Sequence, residues 1–417
     1  MKKKGILMVT ITLLVVIVVT IFISKNSQKY IMKDGVMLAM TLTDADGNVT
    51  NITSFPTEGD YHVDIECVGG NGKYQPLKED TYEMKFIVED ITSTNVKCNI
   101  DFITISDANK ENYLLTKEIS NKLATSPTNS GICSNETYTT QSTCEAGEGH
   151  WYYVSSTKGS NDEDAGIRYS GKQPSNWIWF NNELWRIIGI IPTKLSDGTE
   201  TSLVKIIRAD SIGGLVFHSA ASNTIWGGTG NDDANTLYTL LNTKYYGKDD
   251  ATGASLCLGS TYALCNYKEI GISNSNTDYY GKMIKDVYWN VGTVSSTSTV
   301  ITNAYTTEAG TKSTVTGRIA LMNASDYGYA TSGITYSSIR LASLKSYTQN
   351  NWLYGEGSKW TLTPYSTSNV VYVTYAGNVL GDFAIEGNAV RPVLYLDASV
   401  YVVSGEGTES NPYQIAM

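Results

Sequence analysis

The stretch Trp177-Ile-Trp-Phe-Asn-Asn-Glu-Leu-Trp-Arg-Ile-Ile188 decides how the larger part of this chain is read. Aromatic and β-branched residues crowd both arms, and Asn181-Asn182 between them is a pair that tolerates positive φ at both turn positions, so the stretch predicts a tight β-hairpin. Working outward, Leu203 to Arg208 predicts a further strand, followed later by strands at Arg318 to Met322, Val370 to Tyr375, Val390 to Leu396 and Val400 to Val403. Two helical patterns interrupt them. Ala234, Leu237, Tyr238 and Leu241 fall at i, i+3, i+4 and i+7 behind a cap at Asp232 or Asp233. Tyr280, Met283, Ile284, Val287 and Tyr288 repeat the spacing behind Thr277 and Asp278. Two helices among antiparallel sheets make residues 165–417 an α+β domain. All 6 arginines and 7 of the 8 tryptophans lie there, which argues for a separate core.

Upstream, residues 31–106 read as a small β-sandwich-like domain. Met37 to Thr43 and Val49 to Ser54 flank Asp44-Ala-Asp-Gly-Asn48, a hairpin turn rather than a calcium loop, because Gly47 falls two positions too early for an EF-hand. Tyr61 to Cys67, Thr81 to Val88 and Asn95 to Ile105 alternate polar and apolar residues. Residues 107–164 form a linker, modestly helical over Asp107 to Lys122, with an insert stapled by cystine. Six cysteines allow fifteen connectivities; pairing of sequence neighbours joins Cys67 to Cys98, Cys133 to Cys144 and Cys257 to Cys265. The first of these is expected to staple two strands across the sandwich.

Residues 1–30 place the protein. Lys2, Lys3 and Lys4 precede an uncharged run from Gly5 to Ser24 whose length, at about 1.5 Å per residue, matches a hydrocarbon core of roughly 30 Å. The expectation is an uncleaved transmembrane helix with its lysines in the cytoplasm and everything after Ser24 outside. Two rival readings are a cleaved signal peptide and a prepilin leader ending at Gly5, though Thr10 stands where a prepilin carries glutamate. From Ile31 onward 26 basic residues face 41 acidic ones, so the exported part is acidic and disfavours nucleic acid. It also carries most of the 48 Thr, 40 Ser and 31 Asn of the chain, beside 29 Tyr. Tyr, Ser, Gly and Asn are the residues favoured in recognition loops, which points to Tyr354, Tyr365, Asn369 and Asn378 as a candidate ligand surface.

A catalytic constellation is not legible. His218 has no nucleophile motif near it, His62 and His150 are isolated, and Gly227 to Gly230 lacks the lysine of a phosphate loop. Arg186, Arg208, Arg318 and Arg391, each in an apolar strand context, are expected to lay their stems along the core and pair with buried carbonyls or carboxylates. No cofactor is expected.

Six motifs in order, Trp179-Phe-Asn-Asn-Glu-Leu-Trp-Arg-Ile-Ile-Gly189, Val204-Lys-Ile-Ile-Arg208, Leu321-Met-Asn-Ala-Ser-Asp-Tyr-Gly-Tyr-Ala330, Trp360-Thr-Leu-Thr-Pro364, Val390-Arg-Pro-Val-Leu-Tyr-Leu396 and Gly407-Thr-Glu-Ser-Asn-Pro-Tyr413, resemble a family of uncharacterised bacterial exported domains. The resemblance implies a C-type-lectin-like fold of the kind shared by formylglycine-generating enzymes and retroelement-diversified receptors. It does not imply sugar binding, since the calcium-lectin signatures are absent and Gln173-Pro-Ser175 is the nearest approach. The expectation is a single-pass bacterial surface protein presenting a lectin-like head for adhesion, its ligand an extracellular protein or glycan. The alternatives are an envelope-modifying enzyme related to the formylglycine-generating enzymes, with Cys257, Cys265 and His218 as its candidates, and a pilus-like subunit.

Overall fold

The computed structural model describes residues 11–12, 31–33, 36–56, 59–78, 81–89, 91–93, 95–125, 131–133, 151–153, 156–158, 166–219, 223–227, 236–248, 271–273, 278–355 and 357–417. These are mostly β-sheet with few helices, an α+β architecture. The chain divides into two compact units, Met1–Glu118 with Ser399–Met417, and Ile119–Ala398. Among the described residues no helix is long and apolar enough to cross a membrane. Of the apolar N-terminal run only Ile11–Thr12 is described.

In the first unit the expected hairpin forms from Val36–Thr43 and Val49–Ile52. Asp44 closes its turn: Oδ1 accepts the Asp46 and Asn48 backbone N–H groups at 3.0 and 2.8 Å, and Gly47 takes φ 84°. Val36–Thr43 runs parallel to Val96–Thr104, which pairs antiparallel with Tyr61–Val68. Asn71–Lys78 and Thr81–Glu89 belong to a second sheet. Leu38, Val63, Phe86, Val88, Ile100 and Phe102 from both sheets share one core, with Phe55 and Tyr61 edge-on to Phe102.

Cys67 and Cys98 form a disulfide, as expected, but they stand directly opposite each other on adjacent strands of one sheet instead of spanning two. A Cβ at Gly72 would lie 2.6 Å from Cys67 Sγ, so only glycine lets the second sheet settle over the bridge. Cys133 ends the short strand Gly131–Cys133, and Cys144, Cys257 and Cys265 lie outside the described residues.

The closing segment returns to this unit. Tyr401–Ser404 pairs with Gln414–Ala416, Leu115 N–H donates to the Val400 carbonyl at 2.9 Å, and Val403 packs on the core just named. The sequence places these residues at the end of a domain starting at 165; in the structure that domain's compact unit stops at Ala398.

In the second unit the Trp177–Phe180 and Glu183–Leu195 strands form the expected hairpin, and Asn181 and Asn182 turn at φ 55° and 61°. Ile178, Phe180, Trp185 and Ile187 are buried on it. Glu183–Leu195 then pairs with Glu200–Arg208, which pairs with Val393–Tyr395, building a nine-stranded sheet. Where Glu183–Leu195 passes Ile167–Tyr169, a Cβ at Gly189 would meet the Ile167 carbonyl at 2.1 Å. A second sheet has five strands in the order Gly214–Val216, Gly387–Ala389, Lys359–Pro364, Asn369–Val373, Val379–Phe383.

The helices differ from expectation. The first begins at Leu237, capped by Thr236, whose Oγ1 accepts the Thr239 N–H at 3.1 Å, and continues as a π-turn over Leu240–Tyr245. The proposed caps Asp232 and Asp233 lie outside the described residues. The second is not a helix: a 3-10 turn at Gly281–Met283 gives way to the strand Val287–Asn290, paired with Lys312–Gly317. Val287 and Trp289 are buried while Tyr288 and Asn290 are less so, a period of two that the aromatic and β-branched residues favour. Helices stand instead at Ile301–Ala309 and Ala324–Tyr329.

The disulfide closes a separation of 31 residues, for which removal from the unfolded ensemble is worth on the order of 3–4 kcal/mol. Replacing Cys67 and Cys98 together by alanine should lower the stability of the first unit by that order, seen as a lower urea midpoint with the second unit unchanged.

Candidate functional site

Two sites emerge in the second unit, one interior and one exposed. The interior one centres on Asp326 in the first turn of the Ala324–Tyr329 helix. Its Oδ1 accepts from Arg168 on the Ile167–Tyr169 strand. Its Oδ2 accepts from Lys205 Nζ at 2.6 Å and from the Asn323 backbone N–H at 2.8 Å, the return arm of a capping box. Asp326 and Arg168 are 2% exposed and Lys205 1%. Burial alone would raise Asp326, but the Lys205 and Arg168 cations outweigh it and hold the carboxyl at about 2. Aromatic faces surround the cations: Tyr305 and Tyr329 at Arg168, Trp289 and Tyr395 at Lys205.

A second carboxylate lies one helix away. Glu308, fully buried on Ile301–Ala309, accepts from Thr363 Oγ1 at 2.6 Å, from the Ser325 backbone N–H at 3.3 Å and from Ser325 Oγ. Desolvation dominates there and raises it from 4.5 to about 7, against the three hydrogen bonds and with help from Asp326. Burial likewise pushes Lys205 down.

Of the four arginines read in strand contexts, Arg186 and Arg208 lie in strands while Arg318 and Arg391 fall between strands, and three of the four take the expected carbonyl or carboxylate partners, Arg186 taking a side-chain amide instead. Arg186 Nε donates to Asn176 Oδ1 at 2.6 Å and the guanidinium stacks on Trp177 and Trp352. Arg208 pairs with Glu183, Arg391 Nε donates to the Arg208 carbonyl, and Arg318 donates to the Ile284 carbonyl. Arg168, Lys205, Asp326 and Glu308 were not singled out by sequence. The available signal was a lysine and an acid set inside apolar motifs, Val204-Lys-Ile-Ile and Leu321-Met-Asn-Ala-Ser-Asp-Tyr.

His218 is 1% exposed, bridged to Thr236, and its backbone N–H donates to the Ala384 carbonyl. In the first unit His62 stacks on Tyr113 and lies between Asp64 and the Val402 carbonyl; burial pushes it down, but those two partners win and raise it. His150 lies outside the described residues.

The candidate ligand residues fall at the two ends of one hairpin. At one end Tyr365 lays its ring over Gly381, and Asn369 accepts from Ser366 Oγ and Ser368 Oγ within the turn. At the other, Asn378 donates from its backbone to Thr374 Oγ1 at 3.0 Å, and Tyr354 borders Gly377. The amides of Asn369 and Asn378 thus shape turns, and the five-residue strand between the ends sets them about 14 Å or more apart.

Sequence reasoning missed the residues between and beside those ends. Val379–Phe383 is the terminal strand of its sheet, and exposed apolar side chains run along and around it: Tyr375 at 75%, Phe383 at 52%, Leu380 and Ile385 at 43%, Tyr354 at 38%. Comparison with protein-family models, curated proteins and solved structures finds no match to this chain.

Glu308 gives the interior site a pH signature. Its folded value lies above its ordinary 4.5, so the folded state holds the proton more tightly, and stability falls as pH rises from about 4.5 through about 7. At about 1.36 kcal/mol per unit the loss is on the order of 3 kcal/mol. Asp326 has the opposite sign: its contribution is present above 3.8 and is lost as pH falls through about 2. Glu308→Gln should flatten the stability curve between pH 4.5 and 7 and raise stability at pH 8 by up to about 3 kcal/mol. Denaturant melts at stepped pH check this; a flat wild-type curve over the same window would contradict it.

Proposed function

We propose that the protein is a membrane-anchored bacterial surface protein whose Ile119–Ala398 unit is a C-type-lectin-like head that binds an extracellular protein or glycan. The observation that carries the proposal is the exposed apolar edge. Soluble proteins blunt terminal strands with charge, proline or a covering loop, and an uncovered apolar one marks a contact surface. Here Tyr375, Leu380, Phe383 and Ile385 stand out along and beside Val379–Phe383, with Tyr354 and Tyr365 at its flanks. Aromatic anchors of this kind carry most of the energy of recognition surfaces.

Other features support the remaining parts. The lectin-like assignment rests on the ordered motifs from Trp179 to Leu396. The anchor rests on the uncharged run from Gly5 to Ser24 behind three lysines. An acidic exterior with a cystine suits an oxidising compartment.

The test is the full chain in mild detergent, applied to paired arrays of glycans and of extracellular proteins. Retained ligands are expected on one array. Tyr375→Ser and Phe383→Ser, both at exposed positions that leave the core intact, should each weaken capture about 30-fold, the equivalent of about 2 kcal/mol per anchor. Equal capture by wild type and the double variant would remove the edge as the binding surface.

A further inference from the structure

We propose that the chain carries an internal amide cross-link, formed between the Lys205 side chain and the Asn323 carboxamide. The groups already touch. Lys205 Nζ lies 3.2 Å from Asn323 Oδ1, across 118 positions of sequence, and the two residues are 1% and 4% exposed. With a C=O bond of about 1.23 Å and the open angle at oxygen that a hydrogen bond requires, the amine sits roughly 3.4–4.4 Å from the amide carbon, reaching inward to the outer edge of the near-attack separation of about 3–3.5 Å.

An ammonium in water does not attack an amide. Three features of this site change that. Burial pushes the Lys205 ammonium toward its neutral form. Asp326 Oδ2, at 2.6 Å from Nζ, is placed to take the proton, and the same oxygen holds the Asn323 backbone N–H at 2.8 Å, so one carboxylate orients both reactants. The carboxamide is fixed as well, since Asn323 Nδ2 donates to the Asn290 carbonyl at 2.9 Å. Trp289 and Tyr395 close over Nζ at 5.8 and 5.7 Å and exclude the water that would otherwise compete.

The step balances without a co-reactant. Asp326 accepts a proton from Lys205, and the free amine pair attacks Asn323 Cγ, opening the carbonyl to a tetrahedral oxyanion. Asp326 returns that proton to the amide nitrogen, the Cγ–Nδ2 bond breaks as the carbonyl reforms, and ammonia leaves. Asp326 then takes the second proton, shed by the attacking nitrogen as it becomes an amide, and passes it to the departing ammonia, which leaves as ammonium. Asp326 ends ionised beside Arg168, as it began. The product ties the Glu200–Arg208 strand to the start of the Ala324–Tyr329 helix with a bond that reduction does not break.

This inference does not depend on what the exposed edge binds. The full chain, purified in mild detergent and reduced, is digested with trypsin and a second protease for peptide mass spectrometry. The expected result is a branched peptide joining the Lys205 segment to the Asn323 segment, lighter by one ammonia than its two parts, with no tryptic cleavage after Lys205. Asn323→Ala and Asp326→Asn should each yield linear peptides only. Cleavage after Lys205 together with an unmodified Asn323 peptide from most wild-type molecules overturns the proposal. A branch from Lys205 to Asp326, marked by loss of water, overturns it too. The wild-type digest decides by itself, so the test holds even where a variant fails to fold.

Discussion

Among the described residues of the second unit, three distant elements meet at a carboxylate almost closed to solvent. Before Lys205 reacts, Asp326 sits between Arg168 and Lys205, and those three side chains come from two strands and a helix that are distant in sequence. Ions taken out of water lose several kcal/mol each even after relaxation, and only close, complete pairing repays the loss. The pairing is complete here: both Asp326 oxygens are used, one on Arg168 and the other on Lys205 and the Asn323 backbone. A partly formed cluster would therefore be worse than none. The strands and the helix are tied into one arrangement, and the aromatic rings around the cations keep that arrangement dry.

The charge count explains why Glu308 behaves differently from its neighbour. Arg168 and Lys205 both pair with Asp326, and burial drives Lys205 down and Glu308 up, each toward its neutral form. Three donors from Ser325 and Thr363 point at Glu308 and favour its ionised form, yet desolvation is the larger effect. So within one core, one acid is kept ionised by contact with cations and another is raised by its own burial.

How far the sequence revealed this follows from how local each signal is. The Trp177–Phe180 hairpin was legible because its turn is chosen by two adjacent asparagines and its faces by alternation. The Asp44–Asn48 turn and the Cys67–Cys98 bridge were legible for similar reasons, although the sequence could not show that the bridged strands are neighbours. The Tyr280–Tyr288 segment misled because its apolar spacing fits a helix while its extended pairing with Lys312–Gly317 decides the outcome. The Ile301–Ala309 helix was readable in principle, with Ile301, Ala304, Tyr305 and Glu308 buried at helical spacing, but threonines obscured it. Ala324–Tyr329 is buried all round and carries no periodicity at all. The ion cluster is the extreme case, since pairing across more than a hundred positions leaves no mark on any window of sequence. The exposed edge was hidden for another reason: Leu380 and Phe383 read as ordinary strand residues until the strand is seen to be last in its sheet.

Interior cluster and exposed edge are connected through one strand. Lys359–Pro364 carries Thr363, which donates to Glu308 and accepts the Ala324 backbone N–H at 2.9 Å, so the strand is pinned to both helices beside the ions. At its other end Lys359 is buried and donates to the Leu353 and Gly355 carbonyls, fixing the loop that presents Tyr354. Asn369–Val373 pairs with this strand, and Val379–Phe383 pairs with that one in turn. The edge is thus two ladders away from a core that tolerates no partial assembly. A surface of bare apolar side chains on a soft support would fold onto itself or onto a neighbour; held by this sheet, Tyr375 and Phe383 stay presented to solvent.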